Sequence, residues 1–157
     1  MGYSSATSFD GCWQESDTSD VADMTTMFVF CASLTHVPPM DTSKVINMES
    51  MFAYCESLIS VPMMDTSNAT IMSNMFSGCT KLKTVPAYDA GKVTELDSIF
   101  MDCNSLEEIH MFNIGVGFVI KDSTKFTREA LMEIINNLKP VTAPTNLTMG
   151  ATNLAKL

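Results

Sequence analysis

The sequence predicts an α/β solenoid, in which short turn-helix-strand coils stack on one another and a small C-terminal module caps the stack. A 24-residue block recurs four times, and its apolar residues have the spacing of one face of a short helix. The first three blocks also end in a short stretch closed by proline, which is typical of an extended strand at its end. Such a coil cannot bury its apolar face alone, so stacking has to supply the core.

The blocks begin at Asp17, Asp41, Asp65 and Asp89. In order they read DTSDVADMTTMFVFCASLTHVPPM, DTSKVINMESMFAYCESLISVPMM, DTSNATIMSNMFSGCTKLKTVPAY and DAGKVTELDSIFMDCNSLEEIHMF. The repeats therefore occupy 17–112, between a degenerate capping coil at 1–16 and a decayed repeat at 113–122. A C-terminal helix-strand module follows at 123–157, and its end soon after a new element begins predicts that it is truncated.

Within a block, the apolar residues predict a helix and then a strand. Met48, Met51, Phe52 and Cys55 fall at i, i+3, i+4 and i+7, and Asn47 precedes them as a candidate N-cap. The tail L-x-x-V-P is expected to be extended. The Asp-Thr-Ser segment is expected to turn the chain through side-chain hydrogen bonds of the Asx type.

The C-terminal module has its own pattern. Leu131, Ile134, Ile135 and Leu138 predict one amphipathic helix. Thr127 suits its N-cap, and Phe126 and Leu131 have the spacing of a hydrophobic staple. The stretch 146–149 is predicted to be a last strand.

Composition excludes several functions. The net charge of −9 argues against nucleic acid and against docking on an anionic membrane, both of which need clustered Lys and Arg. No apolar run is long enough to span a membrane, and the N-terminus lacks the features of a signal peptide. No nucleophile triad, nucleotide-binding loop or paired-carboxylate motif stands out. We therefore expect no enzyme activity and no cofactor.

The repeated cysteines and aspartates each have a metal-binding and a structural interpretation. The five cysteines all occupy the last position of F-x-x-C, which favours a column of buried thiols over a zinc site. The repeated Asp favours a turn-capping role over stacked calcium sites, since calcium needs several oxygens for each ion. The fourth block is acidic and is expected to be a solvated end face, with calcium as the alternative; its acidic residues are Glu95, Asp97, Asp102, Glu107 and Glu108.

The candidate binding residues are those that vary between blocks. They lie between the core Leu and Val of each predicted strand, and they are Thr35, His36, Ile59, Ser60, Lys83, Thr84, Glu107 and Glu108. Stacking would set neighbours about 4.8 Å apart on one extended surface. A second aligned set, Met40, Met64, Tyr88 and Phe112, is either another core column or an exposed binding strip, and a core column is favoured.

The blocks resemble the short form of the BspA-like leucine-rich repeat, whose hallmark V-x-x-M-x-x-M-F-x-x-C-x-x-L is carried best by residues 45–58. The segment 127–157 is similar to a module that often follows these repeats in proteins of gut bacteria and their phages. The resemblance implies a leucine-rich-repeat-type fold and a non-catalytic module that binds a protein or glycan on a cell surface. It also implies a location in a phage tail or on a bacterial surface. The alternative is a rigid structural spacer or assembly joint without its own ligand.

Overall fold

Successive blocks are joined by backbone hydrogen bonds between residues 23 to 25 positions apart. The computed structural model describes residues 17–140 and 147–157, so the capping coil predicted at 1–16, with Cys12, lies outside the described residues. Parallel bridges connect Asp23 with Asn47, Asn47 with Ile71, and Ile71 with Glu95. Equivalent positions of neighbouring blocks therefore lie side by side, as the 24-residue repeat predicts.

The helices and strands of the described residues are few and short. In chain order they are β1 (Thr84–Val85), β2 (Glu108–Ile109), β3 (Phe118–Val119), α1 (Arg128–Asn136), β4 (Leu147–Thr148) and α2 (Ala151–Leu154). Strand β1 pairs with β2 and β3 pairs with β4, both in parallel. A further parallel bridge from Ser60 to Thr84 extends the first sheet into the second block.

The helix predicted in each block is wrong, because consecutive turns occupy those residues. In the second block, the N–H groups of Met48 and Ser50 donate to carbonyls of the next block, those of Ile71 and Ser73. These N–H groups are therefore not available for the i to i−4 bonds of an α-helix. The N–H of Met51 donates instead to Met48, only three residues back.

The backbone conformation also prevents a helix. Ser50 has a φ of 54° and Tyr54 a φ of 61°, both in the left-handed region, and the equivalent residues of other blocks repeat this. Asn47 therefore caps a turn and no helix, since its Oδ1 accepts the N–H of Glu49 at 2.9 Å. The spacing i, i+3, i+4 and i+7 identified the inward-facing residues, but successive turns satisfy it as well.

The core is built of columns of like side chains. The rings of Phe28, Phe52, Phe76 and Phe100 lie in one column, with centroids 5.3, 5.7 and 6.0 Å apart and nearly parallel planes. The Met and Leu positions of the second and third blocks are also buried. This arrangement follows from the register, which sets each core residue against its own kind in the next block.

The second aligned apolar set is core for most of its length. Met64 and Tyr88 are buried, Met40 packs against the core, and the Tyr88 hydroxyl donates to the Pro62 carbonyl at 2.7 Å. Phe112 is the exception at 36 % exposed, while its neighbour Met111 is buried. Asp89 pairs with Phe112, not with Asn113, so a one-residue shift in register exchanges the inward and outward positions.

The cysteines form a second buried column. Cys31, Cys55, Cys79 and Cys103 are free thiols and buried. The Sγ of Cys55 donates to the carbonyl of Phe28 at 3.1 Å, and Cys79 and Cys103 make the same bond to Phe52 and Phe76. Burial raises the pKa of Cys55 and of Cys103 to about 12, so these thiols stay protonated at neutral pH.

The Asp-Thr-Ser segments, and Asp-Ala-Gly in the fourth block, form the turns that the sequence predicts. The Oδ1 atoms of Asp17, Asp41, Asp65 and Asp89 each accept the N–H two residues later, at 2.8 to 3.0 Å. Hydrogen bonds from Ser43 hold the pKa of the Asp41 carboxyl below its usual value. The Thr42 hydroxyl donates to the Asp65 carbonyl at 3.0 Å and so ties each turn to the next. These contacts give the Asp a turn-capping role.

The C-terminal module follows its prediction at most points. The Thr127 side chain accepts the N–H of Ala130 at 3.1 Å and caps α1, with Phe126 and Leu131 buried. Leu138 lies beyond the helix, where it pairs with Ile114 in a parallel bridge. The predicted last strand is β4, and residues 141–146 before it lie outside the described residues.

The Phe column gives a stability prediction. Phe52→Ala should lower the free energy of unfolding by about 3–5 kcal/mol, because the ring is fully buried between two others. Phe30→Ala, at a ring 62 % exposed, should cost about 1 kcal/mol or less and is the matched control. Urea melts measure both, and equal losses would contradict the core assignment. Phe9, in the predicted capping coil, lies outside the described residues.

The buried thiols give a second prediction. In native protein at pH 8, a thiol reagent should leave Cys31, Cys55, Cys79 and Cys103 unmodified, because the reagent needs an accessible thiolate. After denaturation without reductant, all five cysteines of the sequence should react. Fewer than five would reveal a disulfide and disprove the prediction.

Candidate functional site

The variable residues form two columns along the edge where β1 and β2 pair. The first column is Thr35, Ile59, Lys83 and Glu107, and the second is His36, Ser60, Thr84 and Glu108. None of the eight is buried, while the residues that flank each pair, Leu before it and Val or, in the fourth block, Ile109 after it, are buried. Main-chain bonds hold the columns in order, for example from the N–H of Lys83 to the carbonyl of Ile59 at 3.2 Å. We call this surface of eight residues the strand face.

The strand face changes from neutral to acidic along the stack. Lys83 lies 3.8 Å from the carboxylate of Glu107, and both side chains are about half exposed. The Thr84 hydroxyl lies 3.5 Å from a carboxylate oxygen of Glu108. Since pairs this exposed contribute little to stability, these groups remain available to a partner.

An apolar margin runs beside the strand face, and the sequence reasoning missed it. It consists of Pro39, Met63 and Ala87, three residues after the second column, and all three are exposed. Met63 alone is 62 % exposed, and Ile59 within the face adds a second apolar group at 41 %. The alignment of the blocks singled out the neighbouring position of Met64 as a possible binding strip, but Met64 is buried. The sequence Pro62-Met63-Met64 does not by itself indicate which of the two methionines faces outward.

The strand face ends against the C-terminal helix at His110. Its Nδ1 lies 2.7 Å from a carboxylate oxygen of Glu133 on α1, and its Nε2 lies 3.5 Å from Glu108. The hydrogen bond to Glu133, together with the charges of both carboxylates, raises the pKa of His110. A protonated His110 therefore bridges the last block and the helix.

No group of three or more His, Cys, Asp or Glu side chains within residues 17–140 and 147–157 is arranged to hold a metal ion. Glu95, Asp97 and Asp102 of the acidic fourth block are exposed to solvent. None of the helices in these ranges has the length and apolar character needed to cross a membrane.

The sequence matches one family model, described as Mycoplasma protein of unknown function, DUF285, over residues 2–61 and again over 58–131. The two matches together cover the four repeats and the start of α1. No curated protein and no solved structure gives a significant match.

His110 predicts a pH dependence of stability. Its pKa is raised in the folded state, so its stabilising contribution is complete below the unfolded pKa of about 6.5 and is lost as pH rises through the folded value. Urea melts between pH 5.5 and 8.5 should show this loss in the wild type and not in His110→Asn. The control His36→Asn changes the other histidine and should still show the loss of stability with rising pH. The same pH profile in wild type and His110→Asn would contradict the assignment.

Proposed function

The chain belongs to the family described as Mycoplasma protein of unknown function, DUF285, and we propose that it is a non-catalytic module that binds a partner through the strand face. The fold proposed for it is a leucine-rich-repeat-type solenoid of the BspA-like kind, capped by the C-terminal module. The partner proposed is a protein or glycan on a cell surface, met by a phage tail or a bacterial surface protein.

The observation that carries the proposal is the contrast between fixed and variable positions. Phe28, Phe52, Phe76 and Phe100 are identical and stacked, as packing demands. Between the buried Leu and Val, the sequence changes from Thr-His to Ile-Ser, Lys-Thr and Glu-Glu. Residues that packing leaves free to vary, and that are held in order by main-chain bonds, can form a surface specific for a ligand.

The shape and chemistry of the strand face favour a long partner. Its columns run across successive blocks without enclosing a cavity, and a small substrate would bury little surface there. It carries both charged and hydroxyl groups, next to the exposed Met63 of the apolar margin. A mixture of an apolar strip and polar groups suits a protein or glycan chain.

The proposal is tested with the quadruple variant His36→Ala, Ser60→Ala, Lys83→Ala and Glu107→Ala. The loss of one Lys and one Glu leaves the net charge unchanged. We expect a folded protein whose attachment to candidate host cells or extracted surface polymers falls at least about tenfold, since a buried charged contact is worth more than that. Binding is measured with fluorescently labelled protein, and folding by circular dichroism and a thermal melt.

The matched control is Asp20→Ala, Lys44→Ala and Asn68→Ala, on the exposed column that follows the Asp-Thr-Ser turns. It also keeps the net charge, and the ion pair it removes, Lys44 with Asp20, is exposed on both sides. The control should attach like the wild type. Unchanged attachment of the quadruple variant would contradict the proposal, and no attachment by the wild type would favour a structural spacer.

A further inference from the structure

The last block ends in a backbone edge that is paired in every earlier block. In the second and third blocks, the N–H groups of Met48, Ser50, Met72 and Asn74 donate to carbonyls of the following block, at 2.9 to 3.0 Å. The carbonyl of Thr70 accepts the N–H of Thr94 at 2.9 Å in the same row. Each block therefore presents one acceptor and then donors at every second residue to whatever lies beyond it.

The fourth block presents the same row without a partner. Its members are the carbonyl of Thr94 and the N–H groups of Leu96 and Ser98, which we call the open edge. Within the part of the chain that the structure describes, no group bonds to these three. Strand β3 follows the fourth block, but it pairs with β4 and not with the open edge.

A groove lies along the open edge. It has a volume of about 340 Å³, and one wall consists of Thr94, Leu96, Asp97 and Ser98. The other wall is formed by residues 116–119 and by Thr148 of β4. A second hollow of about 130 Å³ continues from Ser98 and Val119 past Met101 to Asp122. The groove thus lies where the turns of a fifth block would stack.

The surroundings of the groove are acidic. Asp97 lines it, and Glu95 and Asp102, its neighbours in the fourth block, are exposed. Among the described residues that line the two hollows, the one cation is Lys121, and it is paired with Asp122 at 2.8 Å. An occupant with positive charge therefore meets uncompensated carboxylates.

We propose that this groove binds an extended, basic segment of a partner protein by strand addition. Alternate carbonyls of an extended peptide point to the same side, so they can accept from N–H groups spaced at every second residue and give affinity without fixing the sequence. Lys or Arg side chains of that segment would face Asp97, which lines the groove and supplies the preference for charge. This site is distinct from the strand face and does not depend on the function proposed for it.

The test uses the whole chain and a fluorescein-labelled heptapeptide of sequence TKVTVKT, with TEVTVET as the charge-reversed probe. Fluorescence anisotropy at low salt should show saturable binding of the basic peptide only. Asp97→Lys should weaken it about tenfold or more through charge reversal. Thr148→Tyr, a strand-compatible change at an exposed position of the groove wall, should block it by filling the groove.

Glu56→Lys makes the same charge change as Asp97→Lys at an exposed residue outside the groove and should leave binding unaltered. The decisive measurement is amide hydrogen exchange, in which bound peptide should slow Leu96 and Ser98 and leave Met48 and Ser50 unaffected. Binding without that protection would mean charge attraction alone and would overturn strand addition. The proposal would also be overturned if the basic peptide did not bind, or if Asp97→Lys and Glu56→Lys weakened binding equally. Self-association of the chain that Thr148→Tyr abolishes would overturn it as well.

Discussion

The row of main-chain hydrogen bonds from each block to the next is the constraint on which the rest of the structure depends. Met48, Ser50 and Phe52 donate across the junction while Met51 donates backwards within its own turn, so the chain alternates between two kinds of partner. That alternation fixes the register at 24 residues, and the register sets Phe against Phe and Cys against Cys. Nearly identical blocks follow, because a side chain that fits one junction must fit the next.

The same constraint requires an unusual backbone. Thr26, Ser50, Asn74 and Ser98 occupy equivalent positions, and all have φ between 53° and 57°. A left-handed residue other than glycine costs roughly 1 kcal/mol, so repeated strain has to be offset by the main-chain bonds and the buried columns. A second left-handed position, four residues later in each block, is occupied by Phe30, Tyr54, Gly78 and Asp102. The ring of Tyr54 lies over Gly78, and a Cβ at Gly78 would approach that ring to 2.6 Å. A side chain at Gly78 would displace that ring, which explains glycine at this one point.

The sequence predicted the features that recur in every block and missed those that depend on how one block pairs with the next. The block boundaries, the cysteine column, the Asp turns and the Thr127 cap all follow from short-range patterns. The helices were wrong because the 3.6-residue spacing reports which residues face inward and not which carbonyl each N–H reaches. The exchange of Met111 and Phe112 depends on the register at one junction. No pattern within a single block contains that information.

A stack that grows by pairing one block with the next necessarily has an end where the row of donors is unpaired. Sequence decay at 113–122 marks that end, and the structure shows two separate consequences there. Phe118 packs edge-on against Phe100 at 6.2 Å and closes the core column, whereas the backbone edge beside it stays open. Covering an apolar column needs only a side chain of suitable shape, but pairing a row of N–H groups needs a main chain in register. A cap can therefore satisfy the first requirement and leave the second to a partner, and the carboxylates around Asp97 define the charge that partner would carry.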